Sequence, residues 1–94
     1  MSSFLVDPAS LLAAAGLADL MAADLDAVAG AMAGLTWPDT GTPVGDAHVA
    51  ATTRSLAAGI GQCADTARRE AVTQRSAAAR YLAADRAAGG GPCA

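Results

Sequence analysis

The sequence predicts an all-α protein, folded as an antiparallel two-helix hairpin. Three observations support this: an apolar stripe with heptad spacing, a cluster of turn-forming residues near the middle, and the absence of any alternating strand pattern. Ninety-four residues allow one domain. We expect that domain to span residues 1–88, and the Gly-rich residues 89–94 to form a disordered tail.

The first helix is predicted over about residues 8–35. Asp7 is a good N-cap, and Pro8 suits the first helical position because its missing N–H would have no partner there. An apolar stripe follows in alternating steps of three and four, which is typical of a helix packed on another helix. Its members are Leu11, Ala14, Ala18, Met21, Leu25, Val28, Met32 and Leu35.

Further leucines widen the apolar face of this helix. They are Leu12, Leu17 and Leu20. Either a second neighbour beyond the hairpin covers them, or they belong to one wide core face, and the sequence leaves both interpretations open.

Turn-forming residues predict a loop over about residues 36–45. Pro38 disfavours the helical conformation of Trp37, and the segment that follows is rich in Gly, Thr and Pro. We expect Trp37 to cover apolar surface at the open end of the hairpin.

The second helix is predicted over about residues 46–88, with Asp46 as its N-cap. Leu56 and Ile60 lie on its first packing stripe, and a neighbouring stripe takes over later at Ala64, Ala71, Ala78 and Leu82. Gly59 and Gly61 predict a kink or a close helix crossing, and the sequence leaves the continuity of the helix there open. The greater length of this helix predicts that its last turns protrude beyond the first.

Charge divides unevenly along the chain. Residues 1–47 carry six aspartates and no base, whereas residues 48–94 carry six arginines and three acids. This division predicts ion pairs between the two helices. The net charge of −3 and the lack of a basic stripe argue against a nucleic-acid partner.

Catalytic and metal-binding patterns are missing from the sequence. His48 has no Asp, Cys or Ser at a useful spacing, and Cys63 and Cys93 with one histidine fall short of a zinc set. We therefore expect no enzyme activity, no cofactor and no small-molecule substrate. We also expect no disulfide between the two cysteines, although exposed Cys93 could join two chains.

Export, if it occurs, is predicted to use a route other than the general secretory one. The region before the apolar residues 8–18 carries Asp7 and no Lys or Arg, which is unlike a signal peptide. No stretch is apolar for long enough to span a membrane.

Tyr81 and Asp85 carry the most specific motif of the chain. Residues four apart on a helix share one face, so the ring and the carboxylate form one patch. Taken alone, the spacing also fits a half-buried tyrosine with Asp85 paired to Arg80 or Arg86.

Three further pieces of the chain form a recognisable pattern. They are Val6-Asp7-Pro8 followed by Leu11-Leu12-Ala13-Ala14-Ala15, the break at Gly45-Asp46, and Ala77 to Asp85. Through these pieces, residues 4–88 resemble the EspC-like family of ESX (type VII) secretion-associated proteins. The resemblance implies an all-α hairpin without enzymatic activity, secreted by a type VII apparatus. It also implies that Tyr81 and Asp85 form an export signal for the secretion ATPase or a carrier protein.

The chain departs from the family early in the second helix. Family members carry large aromatic residues where this chain has Val49, Thr53 and Leu56, which predicts a weaker core. We therefore expect the hairpin to gain stability from a helical partner or from a second copy of the chain. WXG-type and PE-type substrates share the hairpin architecture. However, Trp37 is followed by Pro38-Asp39 rather than by the Trp-x-Gly turn of the first type. A different class remains open: a cytoplasmic helical adaptor or chaperone that pairs with a larger type VII substrate.

Overall fold

The computed structural model describes residues 7–88, and they form a two-helix hairpin. Helix α1 spans Pro8–Ala33 and helix α2 spans Pro43–Ala87. The described residues contain no strand, which confirms the all-α prediction. The connecting segment covers residues 34–42, so α1 ends about two residues earlier and α2 begins about three residues earlier than predicted. The predicted tail, 89–94, lies outside the described residues.

The start of α1 is as the sequence predicts. The Asp7 backbone is extended, and its carboxylate accepts hydrogen bonds from the Ala9 backbone N–H at 3.1 Å and from the Ser10 hydroxyl at 3.0 Å. Pro8 occupies the first turn. The helix ends at Ala33, and its C-cap, Gly34, donates its backbone N–H to the Gly30 carbonyl at 3.1 Å.

The start of α2 corrects the prediction that Asp46 is the N-cap. The cap is Thr42, whose extended backbone precedes Pro43 and whose hydroxyl accepts from the Gly45 N–H at 3.0 Å. Pro43 fixes this start because proline fits the first helical position. Asp46 lies in the first turn and instead accepts from both the backbone N–H and the hydroxyl of Thr40, each at 2.9 Å. A Cβ on Gly45 would collide with the Thr40 hydroxyl, so this close approach requires glycine.

We predict that the Asp46 contacts make stability depend on acidity. The hydrogen bonds from Thr40 hold the pKa of Asp46 below its usual value. A lowered folded-state pKa stabilises the fold above the unfolded-state value of about 3.8, and that contribution disappears as the pH falls through the folded-state pKa. Thermal melts of wild type and Asp46→Ala should therefore differ at pH 6 and converge toward pH 3. A difference that is constant across this range would contradict the assignment.

Two ion pairs define the register between the helices. Arg75 pairs with Asp19, and Arg68 pairs with Asp26. The two pairs are seven residues apart on each helix, but the residue numbers rise on α1 while they fall on α2. This antiparallel register confirms the predicted pairing of the acidic helix with the basic one. Because all four side chains are nearly half exposed, each pair stabilises the fold by about 1 kcal/mol at most. Their main effect is to select one register.

Alanine residues form the buried core of the hairpin. Five of them are 1% exposed or less, and they recur every seventh residue on each helix: Ala15 and Ala22 on α1, then Ala64, Ala71 and Ala78 on α2. The register places Ala15 opposite Ala78 and Ala22 opposite Ala71. Since alanine ends at Cβ, such layers allow two helices to approach closely.

The predicted packing residues divide into two groups. Leu11, Leu25, Met32 and Ile60 are half-buried beside the alanine layers. Met21, Val28, Leu35 and Leu56 are exposed, so the contact surface differs from the predicted seam at these four positions. For Met21 and Val28 the reason is a rotation of α1, which turns Ala15 and Ala22 toward α2 in their place. Leu35 follows the end of α1, and the register places Leu56 beyond that end. On α2, Ala64, Ala71 and Ala78 of the predicted stripe are buried, whereas Leu82, its last member, is 40% exposed.

The connecting segment runs along the first half of α2. The register places the end of α1 near Gly61, and the indole Nε1 of Trp37 donates to the hydroxyl of Thr53 at 2.9 Å. The part of α2 without a helical neighbour is therefore its N-terminal part. This corrects the expectation that the C-terminal turns protrude, because the start of α1 reaches past Tyr81. The physical reason is that residues 34–42 are extended rather than folded into a tight turn.

Gly59 and Gly61 lie in an uninterrupted stretch of α2. An added Cβ at either position would meet no atom within 4 Å. The predicted close helix crossing is therefore absent at these glycines, and the helix is continuous through them.

We predict that Thr53 fixes the position of Trp37. Thr53 is buried and also donates to the Val49 carbonyl at 2.9 Å. Thr53→Val keeps the shape of the side chain but leaves the indole N–H without its acceptor, which should cost about 1 kcal/mol. Urea unfolding and the fluorescence of Trp37, the only tryptophan, would show a lower midpoint and a red-shifted emission. Thr53→Ser retains the hydroxyl and should behave like wild type; equal loss in both variants would contradict the role of the hydrogen bond.

Candidate functional site

Tyr81 and Asp85 lie exposed on the last turns of α2. Tyr81 is 44% exposed, and every residue from 81 to 88 is exposed. Neither Tyr81 nor Asp85 makes a side-chain hydrogen bond or an ion pair with another described residue. The alternative interpretation, in which Asp85 pairs with Arg80 or Arg86, is therefore not what the structure contains.

The alanine core determines where this patch points. Ala78 is buried against α1, so Tyr81, three residues later, emerges at the flank of the helix contact. The register places Leu82 near half-buried Leu11, so this end of α2 has the start of α1 as its neighbour. Tyr81 also lines an open groove with Ala77, Arg80 and Ala84. The ring is thus presented on a continuous helix rather than on a loop.

An aromatic ring beside a carboxylate suits recognition by another protein. Tyrosine offers a large apolar area with a hydroxyl at its end and loses little side-chain entropy on binding, which is why it is frequent among residues that dominate interfaces. Asp85, one turn away, can pair with a base or accept N–H groups of a partner. Two of the three residues that line the groove with Tyr81 are alanines, Ala77 and Ala84, so a partner can approach the ring over them.

A second, larger groove lies at the opposite end of the molecule. Its volume is about 530 Å³, and it is formed between the connecting segment and the first turns of α2. Leu35, Trp37, Val49 and Arg54 contribute to its wall. The sequence indicated Trp37 but not this groove, because the groove exists only where the extended segment lies along α2.

The other candidate residues that the sequence offered, His48 and Cys63, do not line either groove. His48 and Cys63 are exposed, and Cys93 lies outside the described residues. Between residues 7 and 88 no three His, Cys, Asp or Glu side chains gather where they could hold a metal ion. Over the same residues, neither helix combines the length and the apolar character needed to cross a membrane.

Comparisons of the chain with protein-family models, with curated proteins and with solved structures found no match.

Proposed function

We propose that this chain is a small helical protein exported by, or associated with, a type VII (ESX) secretion system of actinobacteria. It acts by presenting surfaces to other proteins and catalyses no reaction. Tyr81 and Asp85 serve as its export signal and engage the secretion ATPase or a carrier protein. The resemblance of the sequence to the EspC-like family supports this proposal, and so does the hairpin fold.

One structural observation carries the proposal furthest. Tyr81 and Asp85 are one helical turn apart, both exposed, and neither is engaged by another described side chain. A residue pair that stabilised the hairpin would be expected to pack or to pair within it. An exposed ring and carboxylate on a continuous helix are instead available to a partner.

A second candidate function rests on the exposed face of α1. Leu12, Leu17 and Leu20 are 46%, 63% and 64% exposed, so they do not belong to one wide core face of the hairpin. Such a face favours an adaptor or chaperone that stays in the cytoplasm and pairs with a larger helical substrate. The two functions differ in where the chain is found.

Location in a host with a type VII system tests the two candidates against each other. A tagged chain would be expressed in an actinobacterial host with and without a working secretion ATPase, and the medium and cell fractions would be compared. We expect the chain in the medium only when the ATPase works. Retention in the cell fraction under both conditions would contradict export and favour the adaptor.

A further inference from the structure

Helix α1 carries an exposed apolar patch on the flank away from its ion pairs. The α1 apolar patch, as we define it, consists of Leu17, Leu20, Met21 and Val28. They are 63%, 64%, 59% and 49% exposed. Their spacing of three, four and seven residues places them on one side of the helix, turned away from buried Ala15 and Ala22. The hairpin therefore leaves a contiguous apolar surface of the kind that usually marks an interaction site.

A single carboxylate lies at the centre of this patch. Asp24 follows Leu20 by four residues and Met21 by three, and it precedes Val28 by four. It is exposed and makes no ion pair or side-chain hydrogen bond with any residue from 7 to 88. The other two aspartates of this helix body, Asp19 and Asp26, pair with arginines of α2. Asp24 is thus the acid of α1 that faces outward among apolar side chains.

We infer that the α1 apolar patch binds an amphipathic helix of another protein that carries an Arg or Lys between its apolar side chains. Apolar residues of the incoming helix would cover Leu17, Leu20 and Val28, and its basic side chain would pair with Asp24. Covering the patch removes water around this carboxylate, so a partner without a base would leave a charge desolvated and unpaired. This inference does not depend on the export proposal.

Charge also argues against a second copy of the chain as the occupant. A two-fold symmetric contact brings the same surface of both copies together, and Asp24 lies inside the patch. The two Asp24 carboxylates would then share one apolar interface. No base of this chain lies on α1 to relieve the repulsion, since all six arginines belong to α2.

Two synthetic helical peptides provide the test. Both would contain three heptads with leucine on the binding face; one carries arginine at the central flanking position and the other glutamate. Binding of each labelled peptide to the full chain would be followed by fluorescence anisotropy. We expect the arginine peptide to bind wild type at least about tenfold more tightly, and Asp24→Arg to reverse this preference.

Substitutions at two exposed positions distinguish binding at the α1 apolar patch from non-specific hydrophobic binding. Leu20→Ser should weaken both peptides about tenfold, whereas Val72→Ser, at a similarly exposed apolar residue of α2, should not. Circular dichroism would verify that each variant remains helical. Three results would overturn the inference: no binding of either peptide at about 100 μM, equal affinity for both, or equal loss in the two serine variants. A wild-type dimer in sedimentation that Leu20→Ser dissociates would also overturn it, in favour of a second copy.

Discussion

Ala71→Leu should destabilise the hairpin by about 2 kcal/mol or more, enough to unfold much of it at 25 °C. Ala71 is fully buried and lies opposite Ala22 in the alanine core. Three added carbons have no space there unless the helices separate, and over-packing a close contact costs about 1–3 kcal/mol. A two-helix domain of this size has little stability in reserve. Urea unfolding followed by circular dichroism measures the effect.

Ala79→Leu is the matched control for this substitution. Ala79 lies on the same helix but is exposed, and alanine and leucine have similar helix propensities. We expect this variant to unfold within about 0.5 kcal/mol of wild type. If the two variants had the same midpoint, the close alanine contact would not be what holds the helices together.

Tyr81→Ala should abolish export while leaving the hairpin folded. The ring is 44% exposed, so truncating it removes little buried area from the core. If the ring fits a pocket of the secretion ATPase or a carrier, its loss removes a residue of the kind that dominates interfaces, at a cost of about 2 kcal/mol or more in binding. Secretion of the tagged variant, measured beside its helical circular dichroism, tests both parts.

Val72→Ala is the control for Tyr81→Ala. Val72 is another exposed apolar residue of α2, nine positions earlier and outside the Tyr81 groove. We expect it to be exported like wild type. Equal export of all three chains would remove Tyr81 from the signal, and loss of helix in Tyr81→Ala would show that the residue serves the fold instead.

Both helices and the N-cap of α1 could be predicted from the sequence, whereas the N-cap of α2 could not. Local chemistry determines them: Asp7 and Pro8 begin α1, and turn residues separate it from α2. The antiparallel pairing could also be predicted, because the acids and the arginines lie on different helices. The sequence does not determine the start of α2, because Thr42 and Asp46 both have side chains suited to capping.

The packing surface could be predicted only in part. The stripe of large residues on α1 passes through Met21 and Val28, and a heptad pattern alone favours burying them. In the structure, close approach of the helices buries alanines and leaves these larger side chains outside. A periodicity based on hydrophobicity cannot decide between a wide contact of large residues and a close contact of small ones.

The surroundings of the candidate site depend on the path of residues 34–42. Helix lengths alone placed Tyr81 beyond α1, whereas the ion pairs place it beside the start of α1. Helix α2 is longer than α1, and its extra turns lie at the other end of the molecule, where the extended segment runs beside them next to Trp37 and Thr53. The motif of Tyr81 and Asp85 can be recognised from the sequence, because residues four apart share a helical face wherever the helix ends.

The most direct test of the export proposal is a co-expression measurement in one host with a working type VII ATPase. Wild type and Tyr81→Ala, carrying different tags, would be made in the same cells, and their ratio in the medium would be divided by their ratio inside the cells. Cell lysis releases both chains alike, so it cannot create a difference. We predict strong enrichment of wild type in the medium, which disappears when the ATPase is inactive. A ratio near one with the active ATPase would contradict the role of Tyr81 in export.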